Sequence, residues 1–330
     1  MTVAAEADAG FIVGAYAGSP TAGRWDPAVE SEYLDGLAGV AGIRGLELPW
    51  LGSLHPHDES WLLATLPPGW QVVLTSVGYT VAAVARDPAH GLASDDAGGR
   101  RAAVTNVAEM LAGVRRLNDS AGSAVVTAVE LQAGPGPHHS ASASAAALAT
   151  SLAEIGAWNW EGAAVLLEHC DARVPGQAHA KGFLPLGDEI AAIRSSGAPV
   201  GVALNWGRSA IELRSSSRVH EHLREARDAG LLRALMFSGV ADRPSAYGDA
   251  WADAHLPFAP QPDAADHAAY SEPASMLTVG LARGALLEAG GLLYSGIKFA
   301  WRPAEASVAD RVAMIRQSVT LLTEAAPAGS

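Results

Sequence analysis

Eight short apolar runs, rich in β-branched residues, alternate along the chain with stretches whose apolar residues fall at helical spacing. The runs are Phe11–Ala17, Gly42–Trp50, Gln71–Gly78, Ala124–Gln132, Ala163–Asp171, Val200–Arg208, Leu232–Gly239 and Leu293–Trp301. Residues 163–167 and 201–204 are apolar without alternation, as parallel strands are when helices cover one face and a barrel interior the other. Glu30–Val40 reads as a helix ended by Gly42. Arg101–Leu117 reads as another, reached by a long loop from the third strand, with Val104, Val107, Met110, Leu111 and Val114 on one face. The alternation predicts an α/β fold, a single (β/α)8 TIM barrel with residues 1–330 as one domain. A doubly wound sheet is disfavoured because no GxGxxG turn follows the first strand and no midpoint divides the chain. The longest irregular stretch, from Ala241 to Tyr270, contains Trp251 and Phe258 and is expected to form an ordered lid or wall.

Composition narrows the partners. Hydrophobic residues make up 49% of the chain, ample for the core of a large barrel. Lys and Arg total 22 against 35 Asp and Glu, a net charge of −13, which argues against nucleic acid and anionic membranes as main partners. The single cysteine, Cys170, excludes an intramolecular disulfide and a cysteine zinc cluster. No apolar stretch approaches the roughly 20 residues that span a bilayer, and Met1 to Gly10 lacks the pattern of a signal peptide. A cytoplasmic protein is expected, with a homo-oligomer as open as a monomer.

In such a barrel the site lies at the C-terminal ends of the strands. Those ends carry Tyr16, Glu47, Ser76, Glu130, Glu168, Asn205, Ser238 and Lys298. The densest group is Glu168-His169-Cys170-Asp171, where alternation turns Glu168 and His169 to opposite faces. Glu47, Glu130 and Glu168 suit general acid–base work or a shared metal ion. Lys298 suits neutralisation of an anionic intermediate or a salt bridge to Glu47 or Glu168. Asn205 offers a donor and an acceptor, and Arg208 a fork for a carboxylate or phosphate, or for Glu212 one helical turn on. Asp253 and His255 in the long loop suit a base with its orienter, or a metal ligand with its partner. His169, Asp171 and Trp206 complete the candidate binding residues; Trp50, Trp206 and Trp301 suit stacking on a sugar ring. His55, His57 and Asp58 have metal-like spacing in a loop, and His138-His139 reads as solvated loop.

With Gly-Leu-Glu47-Leu-Pro on the second strand and Leu-Leu-Glu168-His-Cys-Asp on the fifth, the chain resembles the xylose isomerase-like TIM barrels, the sugar isomerases, epimerases and related endonuclease-type barrels. The resemblance implies a carbohydrate-active enzyme that abstracts a proton next to a sugar carbonyl, as an isomerase, epimerase or lyase does. The alternatives are a non-catalytic sugar-binding barrel and a glycoside hydrolase using paired carboxylates. Metal-dependent relatives hold one manganese, magnesium or zinc ion with a fifth-strand Glu, a sixth-strand Asp or His, a seventh-strand His and an eighth-strand Glu. Here the last three positions read Asn205, Ser238 and Lys298. The resemblance therefore leaves two states open: a metal held by Glu168 and His255, or no metal, with Lys298 where the cation stood. Glu168 and Lys298 are expected to act as a unit on a small sugar or sugar derivative.

Overall fold

A computed structural model describes residues 10–136, 142–261 and 269–327. His138 and His139 lie outside the described residues. Eight parallel strands close into one barrel in sequence order: β1 (Phe11–Val13), β2 (Ile43–Pro49), β3 (Gln71–Thr75), β4 (Val126–Leu131), β5 (Ala164–His169), β6 (Val200–Asn205), β7 (Leu232–Phe237) and β8 (Tyr294–Ile297). This is the (β/α)8 TIM barrel that the alternation implied.

Around it lie α1 (Pro27–Ala38), α2 (Glu59–Thr65), α3 (Val77–Arg86), α4 (Ala97–Ala121), α5 (Ala145–Gly156), α6 (Leu186–Ser196), α7 (Trp206–Leu213), α8 (Val219–Asp228), α9 (Val279–Ala289) and α10 (Val308–Ala325). Among the described residues no helix is long and apolar enough to cross a membrane. Side chains on the inner faces of the strands, including Ile12, Val73, Ala128, Leu166, Ala203, Ala234, Met236 and Tyr294, fill the barrel. The outward-facing residues join the helices in a larger outer core. Two concentric apolar layers thus explain why the strands read as unbroken apolar runs.

Several expected boundaries move, each for a local reason. The first strand stops at Val13, and Tyr16 lies in a 3-10 turn, Ala15–Gly18. The third run stops at Thr75, and the stretch expected as a loop contains α3. The sixth strand ends at Asn205, whose carboxamide oxygen accepts from the backbone N–H groups of Gly207 (3.0 Å) and Arg208 (3.2 Å). That is an N-cap, so Trp206 and Arg208 begin α7 instead of extending β6. Lys298 stands one residue beyond β8, its backbone N–H donating to Phe237. Gly39, not Gly42, caps the first helix.

Strand packing leaves no room for a side chain at Gly45. A Cβ there would lie 2.1 Å from the Gln71 carbonyl oxygen of the neighbouring strand, a backbone atom that cannot swing aside. Gly45→Ala is expected to destabilise the barrel by about 1–3 kcal/mol, the usual range for overpacking. Urea unfolding followed by circular dichroism measures it, and an unchanged midpoint would contradict the close β2–β3 approach.

Candidate active site

Residue parity builds the site. In a strand alternate side chains share a face. Glu47, Thr75, Glu130, Glu168 and Asn205 stand two residues beyond the inward-facing Gly45, Val73, Ala128, Leu166 and Ala203, so they extend the barrel interior toward its C-terminal mouth. Ser238 and Lys298 continue the same parity past Met236 and Gly296. Glu47, Glu130, Glu168, Asn205 and Lys298 are each at most 1% exposed. Three carboxylates meet there: Glu47, Glu130 and Glu168 offer oxygens all within 4.8 Å of one another.

Three buried carboxylates in one place demand positive charge or protons. Lys298 Nζ lies 2.5 Å from Glu47 Oε1 and 5.5 Å from the centre of the Tyr16 ring. A Cβ at Gly14 would meet Glu47 Oε2 at 2.6 Å and Lys298 Cγ at 2.9 Å, so this glycine leaves the space the ion pair fills. Glu168 is held by donors on several sides. The Arg208 guanidinium binds Oε1, while Gln132 Nε2 (2.9 Å) and Thr75 Oγ1 (3.3 Å) donate to Oε2. Gln132 is fixed in turn, its own oxygen accepting from Ser76 Oγ at 2.8 Å. Glu130 Oε1 accepts from the Tyr294 hydroxyl at 2.6 Å, and Oε2 has no hydrogen-bond partner among the described residues.

The same burial therefore acts differently on the three acids. For Glu130, burial and the neighbouring charges of Glu168 and Glu47 all raise the pKa, and it stands well above the usual carboxylate range. Burial also raises Glu47, with the Lys298 ammonium opposing it. Burial would raise Glu168 too, but Arg208, Lys298 and the Gln132 hydrogen bond outweigh it, and its pKa is lowered. Burial alone would lower Lys298, yet Glu47, Tyr16 and Glu168 hold its ammonium well above the ordinary lysine value. The mouth thus sets a carboxyl with a raised pKa, Glu130, beside one with a lowered pKa, Glu168, with the Lys298 ammonium at Glu47.

A latch closes over this group. Asp253, in the loop between β7 and α9, accepts from Arg208 Nε at 3.1 Å and also binds the Lys181 ammonium. It joins the β5–α6 loop, the β7–α9 loop and the barrel through one carboxylate, which is held well below its usual pKa by His255, Lys181 and Arg208 against the opposing effect of burial. His255 Nδ1 lies 3.2 Å from Asp253 Oδ1, and burial lowers the imidazole to about 3 against the opposing effect of the Asp253 carboxylate. Trp251 and His255 both adopt positive φ, +63° and +56°, a conformation uncommon for residues other than glycine.

Other candidates are placed elsewhere. His169 faces outward, its two ring nitrogens 2.8 Å from Glu189 Oε2 and 3.0 Å from Glu212 Oε2. Asp171 ties a loop, accepting from the backbone N–H groups of Ala180 and Lys181. Trp206 and Trp50 are buried in the outer core, with Trp50 Nε1 donating to Asn106 in α4 at 3.0 Å, so neither ring is free to stack on a sugar. Trp301, half-buried, packs against Tyr270 with ring centres 5.5 Å apart. Arg208 pairs with Glu168 and Asp253, whereas Glu212 faces His169 and His222. The expected Glu168–Lys298 unit resolves into two pairs, Glu168 with Arg208 and Glu47 with Lys298. His55 accepts through Nδ1 from the backbone N–H groups of His57 and Asp58, and Asp58 caps α2, so their spacing serves a turn.

The mouth also uses residues that the sequence reading passed over. Thr75, Gln132, Tyr294 and Gly14 all touch the carboxylates or their partners. Counting in twos along the strands would have found Thr75, two beyond Val73, and Gln132, two beyond Glu130. Nothing in the local pattern marks Lys181, which arrives on a loop.

The buried acids could in principle hold a divalent ion, but the donor set does not suit one. Glu47 already carries an ammonium and Glu168 a guanidinium. The Asn205 oxygen is taken by two backbone donors and by Ser238 Oγ at 2.7 Å. His255 belongs to neither group of three metal-capable residues found among the described residues. The binding of Glu168 and His255 to a common ion therefore has no geometric support.

Residues 12–314 match the model of a family described as "Domain of unknown function (DUF4862)". The chain is 35% identical over 319 residues to the uncharacterized protein STM3670 of Salmonella typhimurium strain LT2, covering 96% of this chain and 97% of that protein. Among solved structures, a xylose isomerase domain containing protein from Salmonella typhimurium LT2 superposes with a TM-score of 0.59 at 13% identity, over 96% of this chain and 97% of that one. A xylose isomerase domain protein from Alicyclobacillus acidocaldarius gives 0.53 at 15%, over 96% and 99%. A sugar phosphate isomerase/epimerase from Parabacteroides distasonis gives 0.53 at 9%, over 99% and 98%. At these identities the structures show a shared (β/α)8 barrel fold and no more.

The raised pKa of Glu130 has a consequence for stability. An unfolded glutamate ionises near pH 4.3, whereas the folded one keeps its proton to a higher pH. The folded state then binds more protons than the unfolded one, and wild-type stability falls as pH rises through that interval. A glutamine in its place cannot ionise and still accepts from Tyr294. Glu130→Gln is therefore expected to match the wild type near pH 4 and to gain on it steadily toward pH 8. Melting temperatures of both proteins across that range decide it; a constant difference would mean that Glu130 is ionised in the fold.

Proposed function

The chain belongs to the DUF4862 family, and we propose that it is an enzyme that moves a proton on the carbon next to the carbonyl of a small sugar or sugar derivative, using the side chains of its barrel mouth in place of a metal ion. The observation that carries this reading is the divergence of neighbouring acids in one buried site. Pairs of titratable groups whose surroundings push their pKa values apart are how proteins assign acid and base roles. Glu47, raised toward the range of an effective base and exchanging charge with Lys298, takes the carbon-bound proton. The Lys298 ammonium stabilises the negative charge that develops on the carbonyl oxygen as the enediolate forms. Glu130 holds the proton for that oxygen. Glu168, fully engaged by Arg208, Gln132 and Thr75, fixes the guanidinium and the latch, and Asn205, whose Nδ2 is buried without a partner among the described residues, donates to a substrate hydroxyl.

Return of the proton to the same carbon gives epimerisation, and to the adjacent carbon isomerisation.

Exchange of carbon-bound protons with deuterated solvent, followed by NMR on a panel of keto and aldo sugars, tests the proposal. Glu47→Gln and Lys298→Met are each expected to lower exchange at least about 100-fold, in line with loss of general acid–base catalysis. The double variant should be little worse than either single one, because residues that act as a unit are not additive. Circular dichroism establishes that each variant is folded. Undiminished exchange in folded Glu47→Gln removes that residue from the chemistry, and wild-type binding of a sugar without exchange replaces the enzyme with a binding protein.

A further inference from the structure

A second cluster of ionisable groups lies on the opposite face of β5, in the layer between strand and helices. His169 and His222 approach each other edge to face, ring centres 5.1 Å apart, and both turn Nε2 toward Glu212. The separations are 3.0 Å from His169 Nε2 to Oε2 and 3.5 Å from His222 Nε2 to Oε1. Each ring is anchored through its other nitrogen, His169 Nδ1 on Glu189 Oε2 at 2.8 Å and His222 Nδ1 on Ser209 Oγ at 3.1 Å. Glu212 Oε2 is itself positioned by the backbone N–H of Ala172 at 2.7 Å. The site spans four elements: β5, α6, α7 and α8.

We infer that His169, His222 and Glu212 form a binding site for one zinc ion on the outer face of the barrel, separate from the carboxylates of the mouth. Zinc bonds of about 2.0–2.1 Å in tetrahedral geometry set neighbouring ligand atoms roughly 3.3 Å apart, and here two imidazole nitrogens and a Glu212 oxygen lie within 4.8 Å of one another, close enough for side-chain adjustment to bring them onto one ion. Ligating histidines characteristically give their second nitrogen to a carboxylate or other acceptor that sets ring orientation, as Glu189 and Ser209 do. Both ring nitrogens of His169 face carboxylates, and an ion bound at Nε2 would take the place of the proton shared there with Glu212. An ion taking Nε2 and Glu212 together leaves Nδ1–H to donate to Glu189, so every group has a partner. Two imidazole nitrogens and one carboxylate oxygen suit zinc. His169 and Glu189 are fully buried and Glu212 is 11% exposed at its side chain, so the fourth position opens toward Glu212 and takes a water. The ion would cross-link β5 to α7 and α8.

Protein stripped with chelator and titrated with zinc chloride by calorimetry tests this, with melting temperature as a second readout. One equivalent is expected to bind and to raise the melting temperature. His222→Gln should abolish both effects. Glu189→Ala, which removes the anchor of His169, should weaken binding about 10- to 100-fold. Glu168→Gln, in the barrel mouth, should leave the zinc titration unchanged. Cobalt substituted into the wild type, giving the visible bands of a tetrahedral site, and zinc-edge absorption reporting two imidazole ligands keep the question decidable if His222→Gln does not fold. Absence of stoichiometric binding to the wild type, or undiminished binding in His222→Gln with loss in Glu168→Gln, overturns the site and leaves a buried ion-pair cluster.

Discussion

Everything at the mouth of this barrel follows from the need to neutralise three carboxylates buried within 4.8 Å of one another. Moving a carboxylate out of water costs several kcal/mol even after relaxation, and a like-charged neighbour adds to that. The structure meets the demand in three ways at once. Glu47 receives an ammonium, Glu168 receives a guanidinium and two neutral donors, and Glu130 accepts from the Tyr294 hydroxyl with its pKa raised by burial and by its neighbours. Removing any one of these compensations shifts the others, because the three acids see one another.

The neutralising cations also organise the cover of the site. Arg208 bridges Glu168 inside the barrel and Asp253 in the β7–α9 loop, and Asp253 brings in Lys181 from the β5–α6 loop. One charge network therefore links the floor of the mouth to two of its loops. Arg208 is placed by Asn205, which ends β6, caps α7 and sets the turn from which the guanidinium projects. The positive φ of Trp251 and His255 falls in the same cover, where backbone strain is a recurrent companion of function.

Strand β5 serves two sites because neighbouring residues of a strand face opposite ways. Glu168 enters the barrel and His169 enters the helix layer, so adjacent residues join unconnected charge clusters. The Glu-His-Cys-Asp run looked like one constellation, yet it distributes among four environments: the mouth, the outer cluster, a buried thiol and a loop tie.

How much of this was legible in the chain differs between fold and site. The barrel was, because two apolar layers write continuous apolar strands at regular intervals, and that pattern survives without knowledge of any contact. The inward direction of Glu47, Glu130 and Glu168 was also legible, since parity along a strand is local. Strand ends were less so: Asn205 reads equally as a last strand residue or as the cap that starts α7. What the tertiary structure alone decided is partnership. Whether Lys298 meets Glu47 or Glu168, whether Arg208 turns to Glu212 or across the mouth, and whether His169 faces a substrate or Glu212 depend on residues 40 to 251 positions apart brought together by barrel closure. Side-chain pairing across a closed barrel is set by strand stagger and loop paths, and neither leaves a periodic trace in the sequence.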